Sequence, residues 1–234
     1  MNIRVAHGPG GAEKLTPHPG PIVVIDALRM SATVIVALRL GMVVVPVVTE
    51  REALALRKRG AITAGERGGK RLARLDLGNS PSELLRLGEE KLAGKEIALT
   101  TSNGVPALLA VAGHPDPVLV GSPLNLTALA EWIKGKRPQG LSFLLAGRED
   151  EGPQEDAMSA SLLLKRLDVP IPKELPDPIP TSNLDGYFLN TDSGRRLSAL
   201  GYEGDIHLCA RVDSYPIVPL FCGGRLVRLV ASQP

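Results

Sequence analysis

The hydrophobic pattern of this chain repeats a short apolar run, a polar break and a longer amphipathic stretch, and each repeat reads as a strand followed by a helix. Residues 21–26, 42–48, 61–65, 95–101, 118–120 and 141–145 are apolar runs of strand length. Helix signals lie between them, over 31–40, from Thr49, from Ser80, after Gly104 and over 126–134. Two of these starts carry capping boxes, Thr49 with Glu52 and Ser80 with Glu83, the second with Pro81 at the first helical position. The alternation predicts an α/β fold with a mostly parallel sheet and helices on both faces.

The pattern changes after a helix ending near Leu167. Residues 168–180 hold five prolines in thirteen positions, which no helix continues through. The expected organisation is a main α/β domain over 1–167, a Pro-rich linker over 168–180, and a C-terminal α+β extension or small subdomain over 181–234. In that last part residues 194–200 read as a helix, and 206–212, 217–221 and 225–230 as strands, giving a mixed or antiparallel extension of the sheet.

Composition narrows the function classes. A chain of 234 residues with 44% hydrophobic positions can bury a substantial core. Its net charge of +2 and 3% aromatic residues give no footprint for nucleic acid, and Arg51, Arg57, Lys58 and Arg59 read as a solvated helix face. The longest apolar stretch, 33–48, is interrupted by Arg39, Gly41 and Pro46, so no membrane span is expected. The N-terminal residues do not pair a basic segment with an apolar one, so a cytoplasmic location is expected. Cys209 and Cys222 form no CxxC and read as free thiols. A homodimer is expected only from the general frequency of twofold assemblies.

Polar groups follow the strands at once: Asp26 and Arg29, then Glu66 and Arg67, then Thr101, Ser102, Asn103 and Gly104, then Ser122 and Asn125, then Arg148, Glu155 and Asp156. Carboxyl ends of parallel strands gather loops and helix N-termini, where ligands bind. Asp26 reads either as a carboxylate meeting a cation or as a cap for the helix after it. Glu66 and Arg67, before Gly68 and Gly69, read as a ligand-approach loop or as a surface turn. Glu155 and Asp156 suit a helix N-terminus on dipole grounds alone. Asp76, Gly78 and Asn79 precede the helix that Ser80 caps. There is no GxxxxGK[ST], GxGxxG or GxSxG, and His7, His18, His114 and His207 lack ligand spacing, His7 and His18 reading as solvent-facing loop residues. A site of Asp and Glu oxygens favours Mg²⁺, shared with a phosphate.

At these residues the chain resembles the 2-phosphosulfolactate phosphatase family. The resemblance rests on Asp26, Leu28, Arg29 and Ser31, GERGG at 65–69, DLGNSP at 76–81, TTSNG at 100–104, and Ala146-Gly147 followed by Glu155-Asp156. It continues weakly through Gly194-Arg195-Arg196-Leu197 and Asp205-Ile206. It implies an α/β enzyme of coenzyme M biosynthesis that uses Mg²⁺ to hydrolyse the phosphate monoester of a small anionic metabolite. The expected division of labour gives Asp26, Glu66 and Asp156 to the metal. Arg29, Arg67 and the Ser102-Asn103-Gly104 turn go to phosphate, Asn79 and the helix after Ser80 to another anionic group such as a carboxylate or sulfonate, and Ser31, Thr101 and Asn125 to further substrate contacts. Leu28 stands where other phosphatases carry a second aspartate two residues after a nucleophilic one, so metal-activated water is expected over a phosphoenzyme. The alternatives are a phosphatase of another small phospho-hydroxy acid and a non-catalytic binder of a phosphorylated metabolite.

Overall fold

Ile22, Val23, Val24 and Ile25 are all buried, because the strand they form, β2 (Ile22–Ile25), is covered on both sides. Ile22 and Val24 enter one apolar cluster, while Val23 and Ile25 enter another on the opposite face. The computed structural model describes residues 1–16, 18–147 and 154–229, and its named strands form one ten-stranded sheet. Around β2 lies a parallel block with β1 (Asn2–His7), β8 (Gly140–Leu145) and β7 (Val118–Gly121) in the order β1-β8-β2-β7. A second parallel block consists of β3 (Val43–Pro46), β6 (Glu96–Thr100) and β4 (Ile62–Arg67), with the short β5 (Lys70–Arg71) antiparallel at its edge.

The blocks are joined by the C-terminal hairpin, β9 (Pro219–Cys222) and β10 (Arg225–Arg228), which pairs antiparallel with β7 on one side and β3 on the other. The fold is therefore α/β, with a mostly parallel sheet and an antiparallel contribution from the C-terminus. That contribution lies in the middle of the sheet, not at an edge or in a subdomain. The Pro-rich segment 168–180 runs across α7 (Gln154–Leu167), with Leu175 buried and the Ser161 hydroxyl donating to the Pro176 carbonyl at 2.6 Å.

Helix α1 (Met30–Arg39) is buried along almost its whole length, as a helix apolar on every side must be, and it touches β3, β7, β9 and β10. On one face α5 (Gly104–Ala110) and the 3-10 turn at Pro9–Leu15 complete the core; on the other, α6 (Leu126–Lys136) packs on α7. Helices α2 (Glu50–Arg57), α3 (Pro81–Leu87) and α4 (Glu89–Leu92) flank the second block. Helices α8 (Leu184–Asn190), α9 (Asp192–Ala199) and α10 (Glu203–Cys209) form a cap whose α10 packs on α3. The Thr49–Glu52 capping box forms reciprocally; of the second expected box only the Ser80 half forms, its hydroxyl accepting from the Glu83 N–H, because the Glu83 carboxylate accepts from the Gly78 N–H at 2.8 Å.

Two expectations are corrected. Residues 206–212 are not a strand; Ile206, Cys209 and Ala210 fall on the buried side of α10 and its C-terminal end, and a short apolar run does not by itself distinguish strand from helix. The N-terminal stretch contains β1, and His18 is buried with its ring beside the Ser142 hydroxyl at 2.8 Å. His18 is thus not a solvent-facing loop residue. Arg148 lies outside the described residues.

Leu226 is fully buried in β10 and opposite Val44 of β3. Leu226→Ala is expected to lower unfolding free energy by about 2–5 kcal/mol, measured by urea denaturation, because it opens a cavity where the two blocks meet. A loss below ~1 kcal/mol would contradict a central hairpin.

Candidate active site

The end of β2 delivers Asp26, the N-terminus of α1 delivers Arg29, and the turn after β4 delivers Glu66, Gly68 and Gly69. These line one cavity of about 220 Å³ together with Asn79, Ser102, Asn103, Ser193, Arg196 and Leu197. A smaller adjoining cavity of about 50 Å³ is lined by Asp26, Asn103, Gly147, Glu155, Asp156, Ser193 and Arg196. Asp26, Leu28, Asn103, Ser193 and Arg196 are common to both. The result is an acidic side, toward Glu155 and Asp156, and a side rich in N–H and guanidinium groups, toward Arg29, Asn79 and the 102–104 turn. A larger cavity of about 650 Å³ lies between α6 and α7, but its lining brings no group of carboxylates together. Chemistry, not size, marks the site.

The backbone here is built for close approach. A Cβ on Gly104 would stand 2.2 Å from Asp26 Oδ2 and 2.7 Å from Met30 Cβ, so only glycine lets α5 start against Asp26. The Ser31 hydroxyl accepts from the Asp26 N–H at 2.9 Å, and the Met30 N–H reaches Asp26 Oδ1 at 3.4 Å, which fixes the carboxylate at the head of α1. Ser31 is thus an organiser of Asp26 and not a lining residue of either cavity. Asn103 and Gly104 keep N–H groups with no protein partner among the described residues, beside Asp26.

Glu66 ties the turn after β4 to the turn after β6. It accepts from the Ser102 N–H at 2.7 Å, the Gly69 N–H at 2.6 Å and the Ser102 hydroxyl at 3.1 Å. Asp156 does the same on the acidic side, accepting from the Ala27 N–H at 2.7 Å and the Gly147 N–H at 3.3 Å. Asp26 Oδ2 and the Glu155 carboxylate have no hydrogen-bond partner among the described residues. Of the expected metal set, then, Asp26 presents an oxygen without a partner among the described residues, Glu66 and Asp156 are engaged by N–H groups, and Glu155 joins them on the acidic side.

Arg29 is the deepest cation. Its Nη1 pairs with Asp205 Oδ2 at 2.6 Å with both side chains 2% exposed, its Nη2 donates to the Gly69 carbonyl at 3.0 Å, and its guanidinium lies 4.1 Å above the Tyr202 ring. Asp205 Oδ1 in turn accepts from the Ser80 hydroxyl at 2.9 Å and the Ser82 N–H at 3.0 Å. Four of the expected substrate contacts are engaged by such interactions within the protein. Ser80 and the start of α3 hold the protein's own Asp205. Arg67 turns away to the Val48 carbonyl and the Thr100 hydroxyl, both at 2.9 Å. Thr101 caps α5 through the Val105 N–H at 2.8 Å. Asn125 is buried and caps the turn after β7, with its amide donating to the Val120 and Ile217 carbonyls at 3.2 and 2.9 Å. Asn79 does face the cavity, and its Oδ1 is buried without a partner. Ser193, which lines both cavities, and Tyr202, beneath Arg29, are not singled out by the sequence, and Arg196 enters there only within the weak Gly194–Leu197 part of the resemblance.

The carboxylates crowd one another. Burial, then the negative charge of Glu66, pushes Asp26 up to about 7, with Glu155 raising it further, while the Met30 N–H and Arg29 oppose the rise. Asp156 is raised well above the carboxylate range by burial, then by Glu155 and Asp26. Such perturbed acids in a cleft mark functional sites. Among the described residues no three Asp, Glu, His or Cys side chains form a ready-made metal cage.

An α/β sheet whose strand ends and helix starts enclose a small cavity, acidic on one side and anion-seeking on the other, is the layout of an enzyme acting on a small phosphorylated anion. Comparison with known proteins fixes which. A profile of the family described as 2-phosphosulpholactate phosphatase matches residues 12–224. A probable 2-phosphosulfolactate phosphatase of Thermotoga petrophila is 34% identical over 214 residues, covering 86% of this chain and 89% of the relative. Proteins of the same name from Caldanaerobacter subterraneus and Thermus thermophilus are 34% and 29% identical, covering 87% and 95% of this chain and 88% and 95% of theirs. The chain belongs to the 2-phosphosulfolactate phosphatase family and is a phosphoric monoester hydrolase. No helix among the described residues is long and apolar enough to cross a membrane.

An acid raised from 3.8 to about 7 is held protonated by the fold, so its contribution to stability is most favourable below 3.8 and is lost as pH rises through about 7. Asp26→Asn is therefore expected to stabilise the metal-free protein at pH 8 by up to a few kcal/mol, each tenfold change in proton affinity being worth about 1.36 kcal/mol, and to change little near pH 4. Thermal unfolding across that range checks this. Equal effects at both pH values would contradict the crowding.

Proposed function

We propose that this chain hydrolyses the phosphate monoester of 2-phosphosulfolactate to sulfolactate and phosphate, with Mg²⁺ as cofactor. Membership of the family supports the substrate. The observation that carries the chemistry is that Asp26, beside the Asn103 and Gly104 N–H groups, stands where two small cavities adjoin, one lined by Glu155 and the other by Arg29 and Asn79.

The donor chemistry fits Mg²⁺. Asp26 Oδ2 and Glu155 offer hard oxygens without N–H partners among the described residues, Asp26 has its raised proton affinity from burial among carboxylates, and water and phosphate oxygens commonly complete the shell of this ion. When bound, Mg²⁺ would neutralise charge on the phosphoryl group and activate a water. Asp26 and Glu155 would hold it, with Glu66 and Asp156 aligning the surrounding turns.

The remaining steps belong to the chain. The N–H groups of Asn103 and Gly104, at the start of α5, aim donors at phosphoryl oxygens, and Arg29 adds a guanidinium fixed by Asp205 and Tyr202. Its immobility matters, because donors held before the reaction begins need not reorganise as charge develops. Asn79 presents its amide to the same cavity. Water attacks phosphorus as the bond from phosphorus to the ester oxygen breaks; the water gives up one proton and the departing sulfolactate oxygen takes one up, which leaves sulfolactate and hydrogen phosphate.

Phosphate release from racemic 2-phosphosulfolactate and a small panel of phospho-hydroxy acids, with Mg²⁺ and with EDTA, tests the reading. Turnover preferring the sulfonate and abolished by EDTA is expected. Turnover of another panel member in preference would revise the substrate, activity in EDTA would remove the metal, and no release from any compound would overturn the reading.

A further inference from the structure

We propose that Arg196, on α9, is the residue that selects substrates carrying a second acidic group beside the phosphate, by binding that carboxylate or sulfonate at the rim of the cavity. The inference rests on the phosphatase reading above and assigns the specificity it leaves open.

The first observation is that the other candidate cations are already engaged by the protein's own groups. Arg29 is neutralised by Asp205 at 2.6 Å, with both groups buried. Arg67 turns to the Val48 carbonyl and the Thr100 hydroxyl. The start of α3 gives its Ser82 N–H to Asp205 as well. A substrate with a phosphate and a further anionic group therefore needs a cation that the interior does not supply.

Arg196 meets that need. It lines both cavities, at the boundary between the acidic side and the phosphate side. Its neighbour Arg195 is paired with Asp192 at 2.6 Å, whereas Arg196 makes no ion pair among the described residues and only a long 3.4 Å contact to the Ser193 hydroxyl. A guanidinium with its donors free and a flexible stem suits a planar carboxylate or a sulfonate.

The helix that carries it is firmly seated. Thr191 caps α9 through the Gly194 N–H at 3.0 Å, and Leu197 is buried beneath it. A Cβ on Gly69 would meet Leu200 and Leu197 at 3.2 and 3.3 Å, so α9 rests directly on the glycine turn that follows Glu66. The helix that carries the Arg196 side chain is thus seated, through Leu197 and Leu200, on the turn that shapes the phosphate pocket. Arg196 itself is exposed and makes no core contact, so its removal leaves the fold intact.

The test compares Arg196→Ala and Arg196→Lys with the unaltered enzyme on 2-phosphosulfolactate and on isopropyl phosphate, which has no second acid, and measures sulfolactate binding by calorimetry. For Arg196→Ala, KM for 2-phosphosulfolactate is expected to rise about 10- to 100-fold with kcat changed much less, the range for losing a charge-assisted hydrogen bond. Sulfolactate affinity should fall by a similar factor, isopropyl phosphate kinetics should stay within about twofold, and Arg196→Lys should restore part of the loss. Equal losses on both esters would assign Arg196 to the phosphate, and no change on either would make it a bystander; each overturns the proposal. If the unaltered enzyme turned over neither ester, the phosphatase reading would fail, and unchanged sulfolactate affinity in Arg196→Ala would separately sink the recognition role.

Discussion

Asp26 ends a strand buried on both faces, and its carboxylate shares a small volume with Glu66, Glu155 and Asp156. Isolated carboxylates in such surroundings are expensive to ionise, and neighbouring ones raise that cost. The fold meets this constraint in two ways. Glu66 and Asp156 accept hydrogen bonds from backbone N–H groups, while Asp26 and Asp156 are both left with a raised affinity for a proton, Asp26 near neutral pH. A group that can exchange a proton for a cation at neutral pH suits a site that assembles around what it binds.

The same contacts that satisfy these charges also position the pocket. Glu66 holds the glycine turn after β4 against Ser102, the glycine turn carries α9 through Leu197, and α9 carries Arg196. Asp205, from α10, reaches Arg29 and the start of α3 together, so the C-terminal cap closes the site and orients its deepest cation. Buried ion pairs add little net stability, yet removing one partner is costly, so this network specifies geometry more than it strengthens the fold. The C-terminal hairpin ties the two parallel blocks, and without it the end of β2 would not face the ends of β4 and β6.

Much of this is legible in the chain. The strand ends at Asp26, Glu66 and the 101–104 turn, the caps at Thr49 and Ser80 and the α/β class all follow from local patterns. What local pattern cannot reveal is which way a side chain turns once its neighbours are distant in sequence. Arg29 and Asp205 are 176 residues apart, and that pairing decides why Ser80 serves the protein's own carboxylate in place of a substrate. Asn125 follows a strand as Asn103 does, but its amide meets carbonyls of Val120 and Ile217. Arg196 is hidden because an arginine on a polar helix face looks like solvated surface until α9 is seen to lie over the cavity.

The most direct test of the crowded-carboxylate site is calorimetric titration of the protein with Mg²⁺ in buffers of different ionisation enthalpy, at about pH 6 and about pH 8.5, counting protons released on binding. With Asp26 near 7, binding at the lower pH should release about one proton and binding at the higher pH should release almost none, with correspondingly tighter affinity. Binding with no proton release at the lower pH, or no binding at either, would contradict a cation site built around Asp26.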